Sequence, residues 1–345
     1  MSDSEPHLFQ LPRPLRLESG HTLPRVEVTY HTYGRLNPGR DNVVWVCHAL
    51  TANADVLSWW PGLFGAGCYF DPADWFIVCA NVLGSCYGTT GPLTPDPLTE
   101  QAPYQHFPLL TIRDMVAAHE ALREHLALPS IHTLMGGSLG GQQAVEWAVQ
   151  RPKLCENLVL LATNARHSAW GIAFNEAQRL AIFADPTYEL ATPAGGAAGL
   201  RAARAVALLS YRSYDAYGRT QTDSHDTKLT DYLASSYQRY QGDKLVRRFN
   251  AYSYVTLSRA MDSHHVGRGR GSVPAALGRI RARTLVIGIS SDVLFPTAEQ
   301  QQLARYIPGA TYAEMDSHYG HDGFLIETVQ ITHLLERFYL PSYVH

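Results

Sequence analysis

The residues with the clearest chemical potential form a glycine-rich turn around a serine, GGSLGGQ at positions 136–142. The turn follows a predicted strand and precedes a helix that we predict over 143–150, which is the setting of a nucleophile elbow. A strained serine in such a turn brings backbones close together, so Gly136 and Gly140 must lack side chains. The helix N-terminus would stabilise an oxyanion beside Ser138. Ser138 is therefore a candidate nucleophile, and the alternative is a turn that serves packing alone.

A serine hydroxyl is a weak nucleophile and needs a base that a carboxylate orients. Asp292 follows the apolar run 284–289, and His318 and His321 follow the next strand-like segment. These candidates lie past the carboxyl ends of predicted strands, at the edge where open α/β sheets hold their sites. Gly320 frees the backbone beside His321, which favours His321 without deciding between the two histidines. An HxxH pair could bind metal, but the absence of HExxH and of an obvious third ligand argues against zinc.

A phosphate-binding loop is the competing interpretation of the same glycines. It fails because no Lys-Ser/Thr pair follows them and because a serine at position 138 breaks GxGxxG. The backbone N–H of Leu50, after the first buried strand, and that of Leu139 are the expected oxyanion donors. The alternative for this early segment is a polar loop capped by Thr51.

Short apolar runs alternate with segments of helical period. One such segment, 111–128, has apolar residues at three- and four-residue spacing, which predicts a helix. Near-continuous apolar runs are typical of strands buried on both faces of a parallel sheet. The alternation therefore predicts βαβ units and a parallel sheet. The runs are 43–47, 76–80, 131–135, 158–161 and 284–289.

The alternation stops after the fourth run and resumes only before the fifth. The intervening segment holds nine of the nineteen tyrosines and amphipathic stretches at 199–211 and 243–261. We predict a helical insertion over the sheet, with the glycine-rich segment 267–271 as its exit linker. The expected domains are an α/β core of residues 1–166 and 271–345 and a helical lid of residues 167–270.

Composition narrows the class of protein and of partner. The 345 residues are 46% hydrophobic and 17% charged, which is typical of a globular protein and excludes disorder. A net charge of -3 gives no basic field, so neither nucleic acid nor an anionic membrane is an expected partner. Five cysteines without a CxxC pair favour a reduced setting. The acidic start and the lack of a long apolar stretch predict a cytoplasmic protein that is not exported.

The chain resembles the homoserine O-acetyltransferases of methionine biosynthesis, a branch of the α/β-hydrolase superfamily. This resemblance implies an α/β-hydrolase fold, a mostly parallel sheet flanked by helices with a helical lid insertion. The matching motifs span nearly the whole chain. They are HALT at 48–51, CANVLGSC at 79–86, GTTGP at 88–92, TIRDM at 111–115, GGSLGG at 136–141, SAW at 168–170, FNEAQR at 174–179 and YGHD at 319–322.

The resemblance implies Ser138 as nucleophile, Asp292 as orienting acid and His321 as base, in the chain order of α/β-hydrolases. It implies acetyl transfer from acetyl-CoA, a co-substrate, to the hydroxyl of L-homoserine by a ping-pong mechanism through an acyl-serine, with no permanently bound cofactor and no metal. A succinyl-CoA donor or a serine acceptor on the same machinery remains an alternative, as does a plain esterase. A non-catalytic binding protein is a further alternative, against which the complete set of triad candidates argues.

The resemblance also assigns residues to the acceptor. It implies that Arg204 and Tyr211 hold the amino acid and that Asp322 meets its ammonium group. A guanidinium binds a carboxylate at two points, and residues seven apart lie on one helix face. Without the family, Arg204 would be a solvated helix charge and Tyr211 a core aromatic. The lid would shield the acyl-enzyme from water, and its tyrosines suggest a homodimer surface.

The chain departs from the family pattern near the serine turn. Ala52 stands where these proteins commonly have Gly, and Leu139 and Gln142 stand where Met is frequent. These changes alter packing more than charge. We therefore expect them to bear on the preference for the acyl donor rather than on the mechanism.

Overall fold

The computed structural model describes residues 5–340 of the chain. Its strands are β1 (His7–Gln10), β2 (Leu15–Arg16), β3 (Thr22–Leu23), β4 (Glu27–Tyr33), β5 (Val43–Cys47), β6 (Phe76–Ala80), β7 (Ile131–Gly137), β8 (Cys155–Leu161), β9 (Arg283–Ile289) and β10 (Thr311–Met315). Its helices are α1 (Val56–Trp59), α2 (Ile112–His125), α3 (Leu139–Gln150), α4 (Ala169–Phe183), α5 (Ala197–Tyr211), α6 (Tyr214–Thr220), α7 (Leu233–Val246), α8 (Ala251–Asp262), α9 (Val273–Leu277), α10 (Thr297–Tyr306), α11 (Gly323–Ile326) and α12 (Thr328–Tyr339). Short 3-10 helices occur at Tyr104–His106, Pro186–Leu190 and Gly320–Asp322.

Eight strands form one sheet in the order β1-β4-β6-β5-β7-β8-β9-β10. The six strands from β6 to β10 in this order are parallel, which confirms the predicted sheet. At the other edge β1 and β4 are antiparallel. The sequence analysis predicted neither strand. Strand β4 is buried mainly at alternate residues, so it lacks a continuous apolar run.

The sheet separates two hydrophobic layers. Because successive side chains of a strand point to opposite faces, β5 sends Trp45 into one layer and Val44 and Val46 into the other. The first layer includes the inner faces of α2 and α3, and the second includes α12. Burial on both faces explains why the sequence of β5 is uniformly apolar.

The parallel strands bring the candidate site residues to one edge of the sheet. Ser138 directly follows β7, Leu50 follows β5, and Asp292 follows β9. His321 lies in the 3-10 helix after β10. Since carboxyl ends of parallel strands share an edge, four segments distant in sequence meet there.

Helices α4 to α8 lie between β8 and β9 in sequence, and we call them the lid helices. Helix α5 packs against α4, α7 and the 3-10 helix that carries His321. Gly320 allows this approach: it has a φ of 68°, and a Cβ there would lie 2.9 Å from the backbone of Arg212 and of Ser213. Within residues 5–340, no helix combines the length and the apolarity needed to cross a membrane.

Two predicted helices differ from the observed ones. Helix α3 begins at Leu139, immediately after the serine, rather than at position 143. The stretch 243–261 is divided between α7 and α8, because Asn250 leaves helical geometry and its side chain accepts a hydrogen bond from Ser253 N at 2.8 Å. An N-cap of this kind begins a new helix.

Candidate active site

Ser138 occupies a strained turn between β7 and α3. Its φ of 57° and ψ of -125° are unusual for a residue with a side chain. A Cβ on Gly136 would lie 2.4 Å from the carbonyl of Gly140, and a Cβ on Gly140 would lie 2.0 Å from the carbonyl oxygen of Cys47. The two glycines therefore hold strand, turn and helix at backbone contact distance, as the sequence analysis expected of a nucleophile elbow.

Asp292 and His321 form a buried pair. His321 Nδ1 lies 2.6 Å from Asp292 Oδ2. The other carboxylate oxygen accepts hydrogen bonds from the backbone N–H groups of Leu294, at 2.8 Å, and Phe295, at 2.9 Å. This arrangement keeps the proton on Nδ1 and leaves Nε2 of His321 as the basic atom.

Aromatic rings hold the imidazole of His321 in place. Phe295 stacks on it at 5.0 Å between ring centroids, and Phe324 meets it edge-on at 5.4 Å. His318 has a different environment: its ring lies 4.1 Å from that of Tyr319. Of the two histidines that local spacing left open, His321 is the one that contacts Asp292. No group of three or more potential metal ligands occurs in the part of the chain that the structure describes.

Ser138 and His321 line one cavity of about 420 Å³. No hydrogen bond joins Ser138 Oγ to His321 among residues 5–340. The two side chains line the same cavity but are not in hydrogen-bond contact. Contacts of this kind commonly tighten only when substrate binds. The floor of the cavity is nevertheless buried, since Ser138 is 6% exposed and His321 3%.

Two backbone N–H groups are available beside the serine. Leu139 is the first residue of α3, so its N–H has no acceptor within the helix. The N–H of Leu50, which lines the cavity, has no acceptor among the described residues. His48 fixes this loop: its Nε2 accepts from Val82 N at 3.0 Å, so its Nδ1 donates to Ala49 O at 2.8 Å. Burial lowers the pKa of His48 to about 4, which keeps it neutral.

Gln143, which the sequence analysis did not identify, connects the loop after β5 to the first turn of α3. Its amide nitrogen donates to the carbonyls of His48 and Leu139, both at 3.2 Å. Its oxygen lies 3.0 Å from His119 Nε2. A polar residue on a helix ordinarily faces solvent, so nothing in the sequence marked Gln143 as buried between the loop and α3.

Arg204, Tyr211 and Asp322 line the same cavity as Ser138. The guanidinium carbon of Arg204 lies 5.3 Å from the centroid of the Tyr211 ring, and its buried Nε has no hydrogen-bond partner among residues 5–340. Asp322 Oδ2 lies 2.9 Å from Arg212 Nε. Burial raises the pKa of Asp322, while Arg212 and Arg204 act against this. Arg212, the residue directly after Tyr211, was not identified from the sequence.

The three departures from the family pattern do not share one location. Ala52 lines the cavity, whereas the side chains of Leu139 and Gln142 are fully buried outside it. Gln142 donates to Asn164 Oδ1 at 3.0 Å and lies 3.3 Å from His167 Nδ1. Of the three, Ala52 alone lines the cavity.

Comparison with known sequences gives matches along nearly the whole chain. The family model described as the alpha/beta hydrolase fold matches residues 42–328. The chain is 47% identical to the homoserine O-acetyltransferase of Cyclobacterium marinum over 335 residues, which cover 97% of this chain and 95% of that protein. It is 46% identical to the enzyme of the same name from Chlorobaculum tepidum, over 96% of this chain and 93% of that protein.

Solved structures share the architecture. The homoserine O-acetyltransferase of Bacillus anthracis superposes with a TM-score of 0.90 at 23% identity, covering 98% of both chains. Esterase E22 superposes with a TM-score of 0.88 at 20% identity, covering 97% of this chain and 99% of that one. At such identities these two likenesses bear on the fold alone. The predicted α/β-hydrolase fold is confirmed.

Proposed function

The chain belongs to the homoserine O-acetyltransferase family of α/β-hydrolase-fold enzymes, and on that premise we propose that it transfers the acetyl group of acetyl-CoA to the hydroxyl of L-homoserine in methionine biosynthesis. One observation supports the acyl-transfer chemistry above all others. His321, whose Nδ1 lies 2.6 Å from Asp292 Oδ2, lines the same cavity as the strained Ser138. The names of the relatives point to homoserine as the acceptor and to an acetyl group, and acetyl-CoA as the donor is part of the proposal.

The first half-reaction acylates the serine. Ser138 Oγ attacks the thioester carbonyl as its proton passes to Nε2 of His321, and Asp292 stabilises the resulting imidazolium. The oxyanion of the tetrahedral intermediate accepts hydrogen bonds from the N–H groups of Leu50 and Leu139. When the carbon–sulfur bond breaks, His321 returns the proton to the thiolate. CoA leaves as the thiol, and the acetyl group remains on Ser138.

The second half-reaction transfers the acetyl group. The hydroxyl of homoserine gives its proton to His321 Nε2 and attacks the acyl-serine carbonyl through the same oxyanion site. Collapse of the intermediate breaks the bond to Ser138 Oγ, which regains its proton from His321. The products of the second half-reaction are O-acetylhomoserine and the free enzyme.

The cavity offers complementary charges to an amino acid. The guanidinium of Arg204, whose Nε has no hydrogen-bond partner among the described residues, suits the carboxylate and lies over the ring of Tyr211. Asp322 suits the ammonium group, and its contact with Arg212 helps to keep it ionised in a buried setting. The lid helices shield this chamber, which favours transfer over hydrolysis of the acyl-enzyme.

We further propose that the lid helices form the surface of a homodimer. Large apolar side chains are exposed there, among them Trp170 at 54%, Leu180 at 58% and Leu209 at 60%. A contiguous exposed apolar patch marks an interface between proteins, and the proposal is that these side chains form one. Light scattering of the purified chain measures the mass in solution, and a monomer at micromolar concentration would contradict this assignment.

Product analysis tests the reaction. The wild-type enzyme is incubated with acetyl-CoA or succinyl-CoA, each against homoserine and serine, and the products are identified by mass. We expect O-acetylhomoserine as the main product. Succinylated or serine-derived products would shift the assignment to those substrates, and CoA release that ignores homoserine would indicate an esterase.

The Ser138→Ala variant tests the covalent route. Without the hydroxyl no acyl-enzyme forms, so we expect the loss of both steady-state transfer and the initial burst of CoA release. Rapid-quench measurement of CoA in the first turnover provides the readout. A burst that survives the substitution would exclude Ser138 as the nucleophile.

A further inference from the structure

Two cations at the rim of the active-site cavity have no role in the mechanism described above. Lys244 and Arg248, near the C-terminal end of α7, line the cavity and are exposed. Neither has a carboxylate within ion-pair distance among the described residues. The neighbouring acid, Asp243, is already engaged by Arg201 at 2.6 Å. The chain as a whole carries a net charge of -3, so this local excess of positive charge is not a general property of the surface.

The side chains that line the cavity range from buried to exposed. Ser138 and His321 lie at its closed end, where they are almost fully buried, and Lys244 and Arg248 lie at its open end. Arg204 is half-buried and lies between these extremes in exposure. The two rim cations therefore belong to the exposed part of the cavity lining, from which a ligand reaches Ser138.

Arg248 is held in position by neutral groups. Its Nη1 donates to the carbonyl oxygen of Thr51, next to the oxyanion donor Leu50, and to the hydroxyl of Tyr87 at 2.7 Å. These bonds orient the guanidinium without neutralising its charge. A planar guanidinium fixed in this way is suited to a phosphate, and Lys244 adds a mobile second charge.

We propose that Lys244 and Arg248 bind the phosphate groups of the acyl donor. This inference rests on the proposed function. In acetyl-CoA the thioester and the diphosphate stand at opposite ends of the pantetheine arm. With the thioester at Ser138, the arm fills the cavity and the phosphates meet the cations at its rim. Charge-assisted hydrogen bonds to phosphate are among the stronger polar contacts, so this rim selects donors that carry the anionic group.

The test compares two donors that differ in phosphate. Acetyl-CoA carries phosphates, and S-acetylpantetheine has the same thioester and arm without them. Lys244 makes no hydrogen bond or ion pair within residues 5–340, so Lys244→Gln leaves the fold intact. We expect it to lower kcat/KM for acetyl-CoA about fivefold, and Lys244→Glu about tenfold or more, with S-acetylpantetheine changed by less than about twofold. Added salt should narrow the difference between wild type and variant.

Lys153→Gln is the matched control. Lys153 is also exposed and has no ion-pair partner among the described residues, but it precedes β8 and thus lies toward the opposite edge of the sheet. We expect it to behave as wild type with both donors. Equal losses with both donors in Lys244→Gln, no loss with either, or the same loss in Lys153→Gln would overturn the phosphate site. If the wild-type enzyme acetylates homoserine from neither donor, the proposed function itself fails, which separates the two outcomes.

Discussion

The orientation of one imidazole decides whether Ser138 can act. His321 lies between the carboxylate of Asp292 and the ring of Phe295, and both are fixed by the loop after β9. Two backbone N–H groups keep the carboxylate from turning away. The tautomer with the proton on Nδ1 is therefore set before any substrate arrives.

Replacing Asp292 by asparagine tests this orientation. Asparagine is similar in shape, but its amide favours the wrong tautomer and cannot stabilise the imidazolium. We expect kcat for acetyl transfer to fall about 10⁴-fold, with little change in the thermal unfolding temperature. Stopped-flow release of CoA measures the effect. Asp316→Asn, an exposed carboxylate after β10, is the control, and similar losses in both variants would show that Asp292 has no special role.

Sequence patterns could identify the residues that follow strands directly. Ser138 was marked by its glycines, and Asp292 was marked by the apolar run before it. Arg212, Gln143 and Lys244 were not predicted, because their relation to the site is created by helix packing rather than by local spacing. Local spacing left His318 and His321 open; the resemblance implied His321, which is the histidine that contacts Asp292.

At the level of elements, a buried ionic contact ties two lid helices together. Arg179 on α4 lies 2.6 Å from Asp262 at the end of α8 and 3.2 Å from the hydroxyl of Ser258. Asn175, one turn earlier on α4, donates to the other oxygen of Asp262 at 2.8 Å. These residues belong to the FNEAQR motif, whose polar members thus join α4 to α8 rather than line the cavity.

Removal of this contact should loosen the lid. Arg179→Met leaves Asp262 largely buried without its cation, and we expect a loss of about 3 kcal/mol in the free energy of unfolding at pH 8. The loss should be smaller at pH 5, because burial already raises the pKa of Asp262 and a protonated carboxyl needs no partner. Urea unfolding at the two pH values measures both effects.

The control for this variant is Arg201→Met. Arg201 pairs with Asp243, but both side chains are about half exposed, so we expect a loss below about 1 kcal/mol. Equal destabilisation by the two substitutions would mean that burial of the Arg179 contact is unimportant.

The elements themselves were predictable to different degrees. The buried strands were found because their sequences are continuously apolar, whereas the helix break before α8 depends on the cap formed by Asn250. The glycine-rich segment 267–271 was expected to be a simple linker. In the structure Arg268 pairs with Glu18 at 2.8 Å and Arg270 pairs with Glu146 at 2.5 Å, so its arginines fasten it to the core.

Among residues 5–340, four buried histidines outside the Asp292–His321 pair are kept neutral by their surroundings. His48, His119 and His167 have their pKa lowered by burial to about 4, and His264 to about 3. Each takes part in hydrogen bonds, for example His264 with the carbonyl of Asn164 at 3.1 Å. None of them can gain a proton near neutral pH without disturbing the interior.

These histidines predict acid sensitivity of the entire fold. In the unfolded chain they take up protons near pH 6.5, while the folded chain keeps them neutral, so acid favours unfolding. Each should reduce the free energy of unfolding by roughly 1 kcal/mol per pH unit below pH 6.5, giving a fall of several kcal/mol between pH 7 and 5. Burial also raises the pKa of Glu299, Asp114, Asp262 and Asp322, so the folded chain protonates these carboxyls more readily than the unfolded chain does, and their contribution opposes that of the histidines.

Urea unfolding at half-unit steps from pH 7 to 5 measures the slope of stability against pH. His119→Gln removes one of the four groups and should reduce the slope by about a quarter, whatever its effect on stability at pH 7. His21→Gln alters an exposed histidine and should leave the slope as it is in wild type. A slope that His119→Gln leaves unchanged would show that this histidine gains a proton in the folded state as readily as in the unfolded one.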